Sequence, residues 1–244
     1  MSDSRLIRIV NLSHTYAGGR CALRNLTFEV AAGERLALVG PNGAGKTTLF
    51  LRMCGVLPGQ PGQILIAGLD PAVPQHRRHM PQKVGIVFQN PEDQLFSATL
   101  LEDVAFGPLN LGCQVEEALS RAETALKAVG LHDFADRSPD TLSGGEKRRA
   151  ALAGVLAMQP EVLLLDEPSM YLDPRSRREL IQQLTQLPGT LLIATHDLDL
   201  VLDLCPRTLI LDAGEKIADG ESIKLLADQA LMQTHGLEVP YRLR

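Results

Sequence analysis

Three short stretches carry the side chains needed for chemistry on a phosphoanhydride. Gly40-Pro41-Asn42-Gly43-Ala44-Gly45-Lys46-Thr47 has the pattern G-x-x-x-x-G-K-[ST]. Glycines at that spacing let consecutive backbone N–H groups turn inward around phosphate oxygens, and Lys46 can reach the outer phosphates. The Thr47 hydroxyl can ligate Mg²⁺. Val162-Leu163-Leu164-Leu165-Asp166-Glu167 delivers two carboxylates at the end of an apolar run. Asp166 can hold the hydration shell of Mg²⁺, and Glu167 can polarise an attacking water. In Leu142-Ser143-Gly144-Gly145-Glu146, Ser143 and Glu146 fit a capping box, and the two glycines open a helix start to close approach by an anion. Each stretch alone has an ordinary reading: a glycine-rich turn, two acidic residues at a strand end, a capped helix.

These stretches need a frame. Arg35–Val39 is an apolar strand running into the glycine turn, and Thr47–Cys54 reads as the helix leaving it. That context aims a helix N-terminus at the phosphates. Leu6–Val10, Leu26–Val30, Gln63–Ala67 and Lys83–Phe88 read as further strands, with Pro71–Pro81 as a connection. Then the character changes. Val115, Ala118, Leu119, Ala122, Ala125, Leu126 and Val129 recur in three- and four-residue steps, which predicts a helix closed by Gly130. A second helix is expected from about Ser143 to Met158, stopping before Pro160. Strands return at Val162–Leu165, Leu191–Ala194 and Thr208–Leu211, with helices between. The alternation predicts an α/β fold. We expect one domain over about 5–240, with a core subdomain over about 5–89 and 160–240 and a helical subdomain over about 90–159.

Composition narrows the function classes. The chain has 244 residues, 45% hydrophobic and 22% charged, which excludes wholesale disorder. No apolar run approaches the roughly 18 residues of a membrane span. Met1–Arg5 has no apolar stretch of the kind a secretory signal carries. A net charge of −5 argues against broad nucleic-acid binding, so no nucleic-acid partner is expected. Cys21, Cys54, Cys113 and Cys205 are scattered and read as reduced thiols of a reducing compartment. His76-Arg77-Arg78-His79 reads as a solvated segment, because two arginines disfavour a bound cation.

Taken in order, these motifs resemble the nucleotide-binding subunits of ABC ATPases, over nearly the whole chain. Gly40–Thr47 is similar to the Walker A loop, Val162–Asp166 to Walker B, and Leu142–Glu146 to the family signature. Gln89 matches the Q-loop glutamine, Leu172-Asp173 the D-loop and His196 the switch histidine. Tyr16 stands where the family places an aromatic against adenine. The resemblance implies a P-loop core with a mixed, RecA-like sheet, an antiparallel β region and a helical subdomain. It implies ATP and Mg²⁺ as cofactors, with Thr47, Gln89 and Asp166 at the metal and Gly40 to Thr48 on the phosphates. Glu167, Gln89 and His196 would serve hydrolysis. Ser143, Gly144 and Gly145 would contact the nucleotide of a second subunit, with Asp173 at the interface between them. One P-loop and one signature then make a dimer, with itself or with a related ATPase.

Asn90-Pro91-Glu92-Asp93-Gln94-Leu95-Phe96-Ser97 and Leu101–Pro108 resemble the energy-coupling-factor (ECF) importers, in particular the cobalt and nickel branch. The branch implies peripheral attachment at the cytoplasmic face of a membrane through integral coupling and substrate-binding subunits. Leu95 and Phe96 are large apolar residues in a polar loop. They either line a groove for a partner helix or pack into the helical subdomain. A vitamin importer and a soluble ATPase of iron–sulfur assembly are the alternatives. Met170 and Tyr171 depart from the smaller residues of many relatives, and Leu231–Arg244 leaves little room for the added dimerisation region that some carry.

Overall fold

The computed structural model describes residues 5–244; Met1–Ser4, and with them most of the stretch read for a signal, lie outside the described residues. The chain opens with strands β1 (Arg5–Thr15), β2 (Cys21–Ala31) and β3 (Arg35–Val39), then helix α1 (Lys46–Met53), strand β4 (Ile64–Ile66) and a short helix α2 (Pro74–Arg77). Strand β5 (Val84–Val87) leads to the helices α3 (Leu100–Asn110), α4 (Val115–Ala128) and α5 (Gly144–Ala157). Strand β6 (Val162–Asp166), α6 (Pro174–Gln186), β7 (Thr190–Ala194), α7 (Leu198–Leu204), β8 (Arg207–Asp212), β9 (Glu215–Glu221), α8 (Ser222–Ala227) and α9 (Gln229–Thr234) follow.

Two sheets form. Strands β2-β1-β4 make an antiparallel sheet. The larger sheet has the order β5-β6-β7-β3-β8-β9, parallel except for the β8–β9 pair. The fold is therefore α/β with a mixed sheet, an antiparallel β region and a set of helices. The larger sheet is covered on both faces, as buried parallel strands require. Leu36 and Leu38 of β3 pack with α1 and the antiparallel sheet, while Ala37 and Val39 pack with the helices of the opposite face. β6 alternates in the same way, with Leu163 and Leu165 facing the helical side. That side runs without a break into α3, α4 and α5 through Leu100, Val104, Leu126 and Leu152, all buried.

The structure differs from the sequence reading in particular places. Helix α3 lies in the helical block expected over about 90–159, but its own bounds are not in the sequence reading. Pro108 falls inside the helix, whose start is fixed by a full Thr99–Glu102 capping box. Strand β9 was missed because Glu-Lys-Ile-Ala-Asp-Gly-Glu shows no apolar alternation; it is an edge strand whose one strand partner in the sheet is β8. Pro71–Pro81 contains α2, and His76 Nδ1 there accepts a 3.0 Å bond from the Asp70 N–H, a local tie rather than a metal ligand. No cluster of three or more His, Cys, Asp or Glu suited to a metal occurs among the described residues. All four cysteines are free, and burial pushes the Cys54 and Cys205 thiols up to about 12, so they are inert.

Candidate nucleotide site

The loop after β3 must be glycine at two points. A Cβ on Gly40 would stand 2.1 Å from the Leu211 carbonyl oxygen, and one on Gly45 2.5 Å from that of Ala22. Gly45 is also left-handed, at φ 106°, and it caps α1 with no side-chain bond to the helix N–H groups. Those donors therefore face the cleft, where an anion would meet them. Lys46 is buried, its ammonium donating to the Gly40 carbonyl at 2.6 Å and to Pro41 at 3.2 Å. Burial lowers its pKa, opposed by the negative charges of Glu167 and Asp166.

Strand β6 neighbours β7, which neighbours β3, so the C-terminal ends of three parallel strands converge on this loop. Thr47 Oγ1 donates to Asp166 Oδ2 at 2.7 Å. Burial raises the Asp166 pKa, partly offset by the Thr47 bond. This corner offers a hydroxyl and a carboxylate, with the Gln89 amide on the same cleft. Such an all-oxygen set suits Mg²⁺, which takes one or two carboxylates and leaves its other positions to phosphate and water. Glu167 has a left-handed backbone, φ 49°, and is buried. Its Oε2 accepts from Thr195 Oγ1 at 3.2 Å and from the His196 N–H at 3.3 Å, and lies 2.8 Å from His196 Nδ1. A buried carboxylate paired with an exposed histidine is a competent acceptor for a proton from water.

The resulting cleft measures about 800 Å³. It brings together Tyr16, Gly40 to Thr48, Gln89, Asp166, Glu167 and His196, as expected from sequence. The Tyr16 hydroxyl is 3.0 Å from Thr48 Oγ1, and its ring meets His14 edge-on at 4.8 Å. Five lining residues were missed: Arg20, Ala22, Met170, Gly236 and Leu237. Arg20 lies on the same β1–β2 turn as Tyr16 and Ala22 lies at the start of the strand that follows, so both were within reach of a sequence reading. Gly236 and Leu237 arrive from the far end of the chain, with no local signal. Met170 lines the cleft, and its sulfur accepts from the Gln89 side-chain amide at 2.8 Å.

Ser143, Gly144, Gly145 and Asp173 do not line this cleft. Ser143 caps α5 and is exposed; its hydroxyl donates to Glu146 Oε2 at 2.6 Å, and these Ser143 bonds hold the Glu146 carboxyl below its ordinary range. Asp173 caps α6 through the Arg175 and Ser176 N–H groups. A Cβ on Gly145 would come 3.2 Å from Ser176 Oγ, so the two helix starts are neighbours. Tyr171 beside them is 88% exposed and left-handed, at φ 61°.

Leu95 and Phe96 part company. Leu95 is half-buried against the core, whereas Phe96 is 65% exposed and meets the Phe106 ring edge-on at 4.9 Å. Both line a second, largely apolar groove of about 620 Å³, which also takes in the exposed Val56.

Comparison with known proteins places the chain firmly. The ABC transporter family model matches residues 23–170. A putative ABC transporter ATP-binding protein of Gloeobacter violaceus is 53% identical over 240 residues, covering 96% of this chain and 97% of that protein. The energy-coupling factor transporter ATP-binding protein EcfA of Methanothermobacter thermautotrophicus is 43% identical over 240 residues, covering 96% of this chain and 77% of its own. The solved structure of cbiO1 from Clostridium perfringens, part of the ABC transporter complex cbiONQ, superposes with a TM-score of 0.82 at 34% identity, covering 98% and 97% of the two chains.

Proposed function

The chain belongs to the ABC transporter ATP-binding family as an ATPase subunit of the energy-coupling-factor kind, and from that premise we propose that it energises import of a transition-metal ion, cobalt ahead of nickel. The observation that carries the metal reading is the resemblance of the Asn90–Pro108 segment to the cobalt and nickel branch. The full-length likeness to a cbiONQ subunit, at a TM-score of 0.82, supports it. The ion is cargo and does not bind this chain.

In this reading the α1 N-terminus and Lys46 bind and orient the β- and γ-phosphates of ATP. Thr47, Asp166 and Gln89 would hold Mg²⁺, which supplies charge neutralisation at the phosphates when bound. Glu167 accepts a proton from the attacking water at its carboxylate, and His196 holds that carboxylate from one side. Tyr16 lies against the base. Ser143, Gly144 and Gly145 face outward because their nucleotide belongs to a second copy or a related ATPase, with Asp173 and Tyr171 at the seam. ATP then closes the pair, since each γ-phosphate touches both subunits, and hydrolysis lets it open.

No helix among the described residues is long and apolar enough to cross a membrane. In this reading the membrane is reached through partners. The apolar groove with Phe96 and Phe106 is where a helix of an integral coupling subunit docks, holding the chain at the cytoplasmic face. Large apolar side chains in such a groove supply most of the contact energy.

The experiment is uptake of radioactive Co²⁺ by cells with and without this subunit, with biotin as the control substrate. The reading expects Co²⁺ uptake to fall and biotin uptake to stay. Loss of biotin uptake with Co²⁺ and Ni²⁺ uptake intact would replace the metal by a vitamin and leave the importer in place. Replacing Leu95 and Phe96 by Ser should lower uptake while ATP hydrolysis by the isolated subunit persists; uptake at the wild-type level would remove the groove from the coupling path.

A further inference from the structure

Arg148 lies on α5, five residues after the exposed cap Ser143, yet only 6% of it is exposed. Its Nη1 donates to the Glu167 carbonyl oxygen at 2.6 Å, and its Nη2 donates to the Gln89 carbonyl oxygen at 2.8 Å. One planar fork therefore closes on the backbones of two residues that line the nucleotide cleft, from a helix whose start does not reach that cleft.

The bond to Glu167 meets a backbone that needs holding. Glu167 is a non-glycine residue at φ 49°, a conformation that persists only where the surroundings over-determine it. Its N–H donates to the Ala194 carbonyl at 2.8 Å, and its own carbonyl accepts from Met170 N at 3.2 Å as well as from Arg148. The Met170 bond comes from the turn itself and moves with it. Arg148 is the tie that reaches the Glu167 carbonyl from another element. Without it the turn can relax, and the carboxylate that turn carries shifts with it.

We propose that Arg148 is a positioning residue for hydrolysis: its guanidinium fixes the backbone on which Glu167 stands and joins it to the Gln89 segment, so that the setting of α5 governs the placement of the general base. This rests on the reading of Glu167 as that base. Ser143 and Arg148 share one rigid helix. A nucleotide of the second subunit that engages Ser143 therefore acts, through Arg148, on the Glu167 of this subunit's own site.

The test uses Arg148→Gln and Arg148→Lys in the full chain, with steady-state kcat and KM, ATP affinity and thermal midpoint. A displacement of about an ångström at a catalytic group lowers rates on the order of a hundredfold. Arg148→Gln should thus lower kcat by roughly tenfold to a hundredfold, with KM and ATP affinity within about twofold. Arg148→Lys keeps the charge and one donor direction, and should restore part of the loss. In a Glu167→Gln background, the residual single-turnover hydrolysis of radiolabelled ATP should fall no further when Arg148 is changed. Wild-type kcat in Arg148→Gln, a rise in KM at constant kcat, or the same fractional loss in both backgrounds would overturn the inference. Full turnover by Glu167→Gln alone would remove the general-base reading and this one with it; an inactive Glu167→Gln beside a fully active Arg148→Gln would remove only this one.

Discussion

The nucleotide cleft and the apolar groove are open pockets of similar size, about 800 and 620 Å³, built in opposite ways. The cleft is made of strand ends and backbone. Its loop needs glycine because carbonyls of Leu211 and Ala22 leave no room for a Cβ, and its carboxylates stand at the end of β6 and directly after it, with partners at fixed distances. The groove is made of side-chain surfaces, with Phe96 and Phe106 left exposed and in contact only edge-on. Backbone geometry tolerates few sequences and so leaves motifs, whereas an apolar surface tolerates many.

The largest expected effects lie in the cleft. Glu167→Gln should lower turnover by about 10²–10⁴ while ATP binding is retained, as loss of general-base assistance predicts. Lys46→Ala should weaken ATP binding itself. Turnover and nucleotide affinity measured side by side distinguish these two failures, and the same pattern for both variants would break the division of labour within the cleft.

Next comes assembly. ATP with the Glu167→Gln variant should favour a dimer that ADP does not, because hydrolysis can no longer remove the bridging γ-phosphate. Sedimentation of the isolated subunit checks this; equal dimer fractions with ATP and ADP contradict it.

The groove predicts smaller effects that separate its two named residues. Leu95→Ala should lower stability by about 1–2 kcal/mol, since Leu95 packs on the core. Phe96→Ala, at 65% exposure, should change it by about 0.5 kcal/mol or less. Denaturant midpoints decide. Equal losses would mean that Phe96 is packed rather than presented.

These contrasts match what could be read from residues alone. The phosphate loop and both carboxylates were legible because each sits at a strand end with a local pattern, whereas Gln89 and His196 came only through the family resemblance. Helix α3 was legible only as part of a helical block, although Thr99 and Glu102 carry the signal of its start. Strand β9 had no periodicity to show. Arg148, Gly236 and Leu237 reach the cleft or its walls by tertiary contact alone, and nothing in their neighbourhoods announces it. For Leu95 and Phe96 the sequence left open packing or presentation; both line the groove, Leu95 half-buried against the core and Phe96 exposed.

The smallest effect concerns pH, beside the cleft. Asp197 accepts a two-pronged bond from Arg177, at 2.6 and 2.8 Å, and caps α7 through the Leu200 N–H. Burial pushes its carboxyl up, but these bonds outweigh it and hold the pKa below its ordinary value. A depressed carboxyl stabilises the fold above its unfolded pKa, and that stability is lost as pH falls through the folded one. Wild type should therefore exceed Asp197→Asn in thermal midpoint by about 2–4 °C at pH 7, with the gap closing below about pH 4. A gap that widens on acidification would reverse the sign.

On the proposed function, a complete catalytic site takes its phosphate loop from one subunit and its signature from another, and Ser143 stands outside the cleft that holds Lys46 and Glu167. Mixing two crippled chains, Lys46→Ala and Ser143→Ala, puts this sharing to the test. In a two-fold dimer of the mixture, the phosphate loop of one chain and the signature of the other reconstitute one intact site. The mixture should show ATP turnover that neither variant shows alone, rising with the fraction of mixed dimers. Turnover that stays at the level of the separate variants, with mixed dimers present, would contradict it.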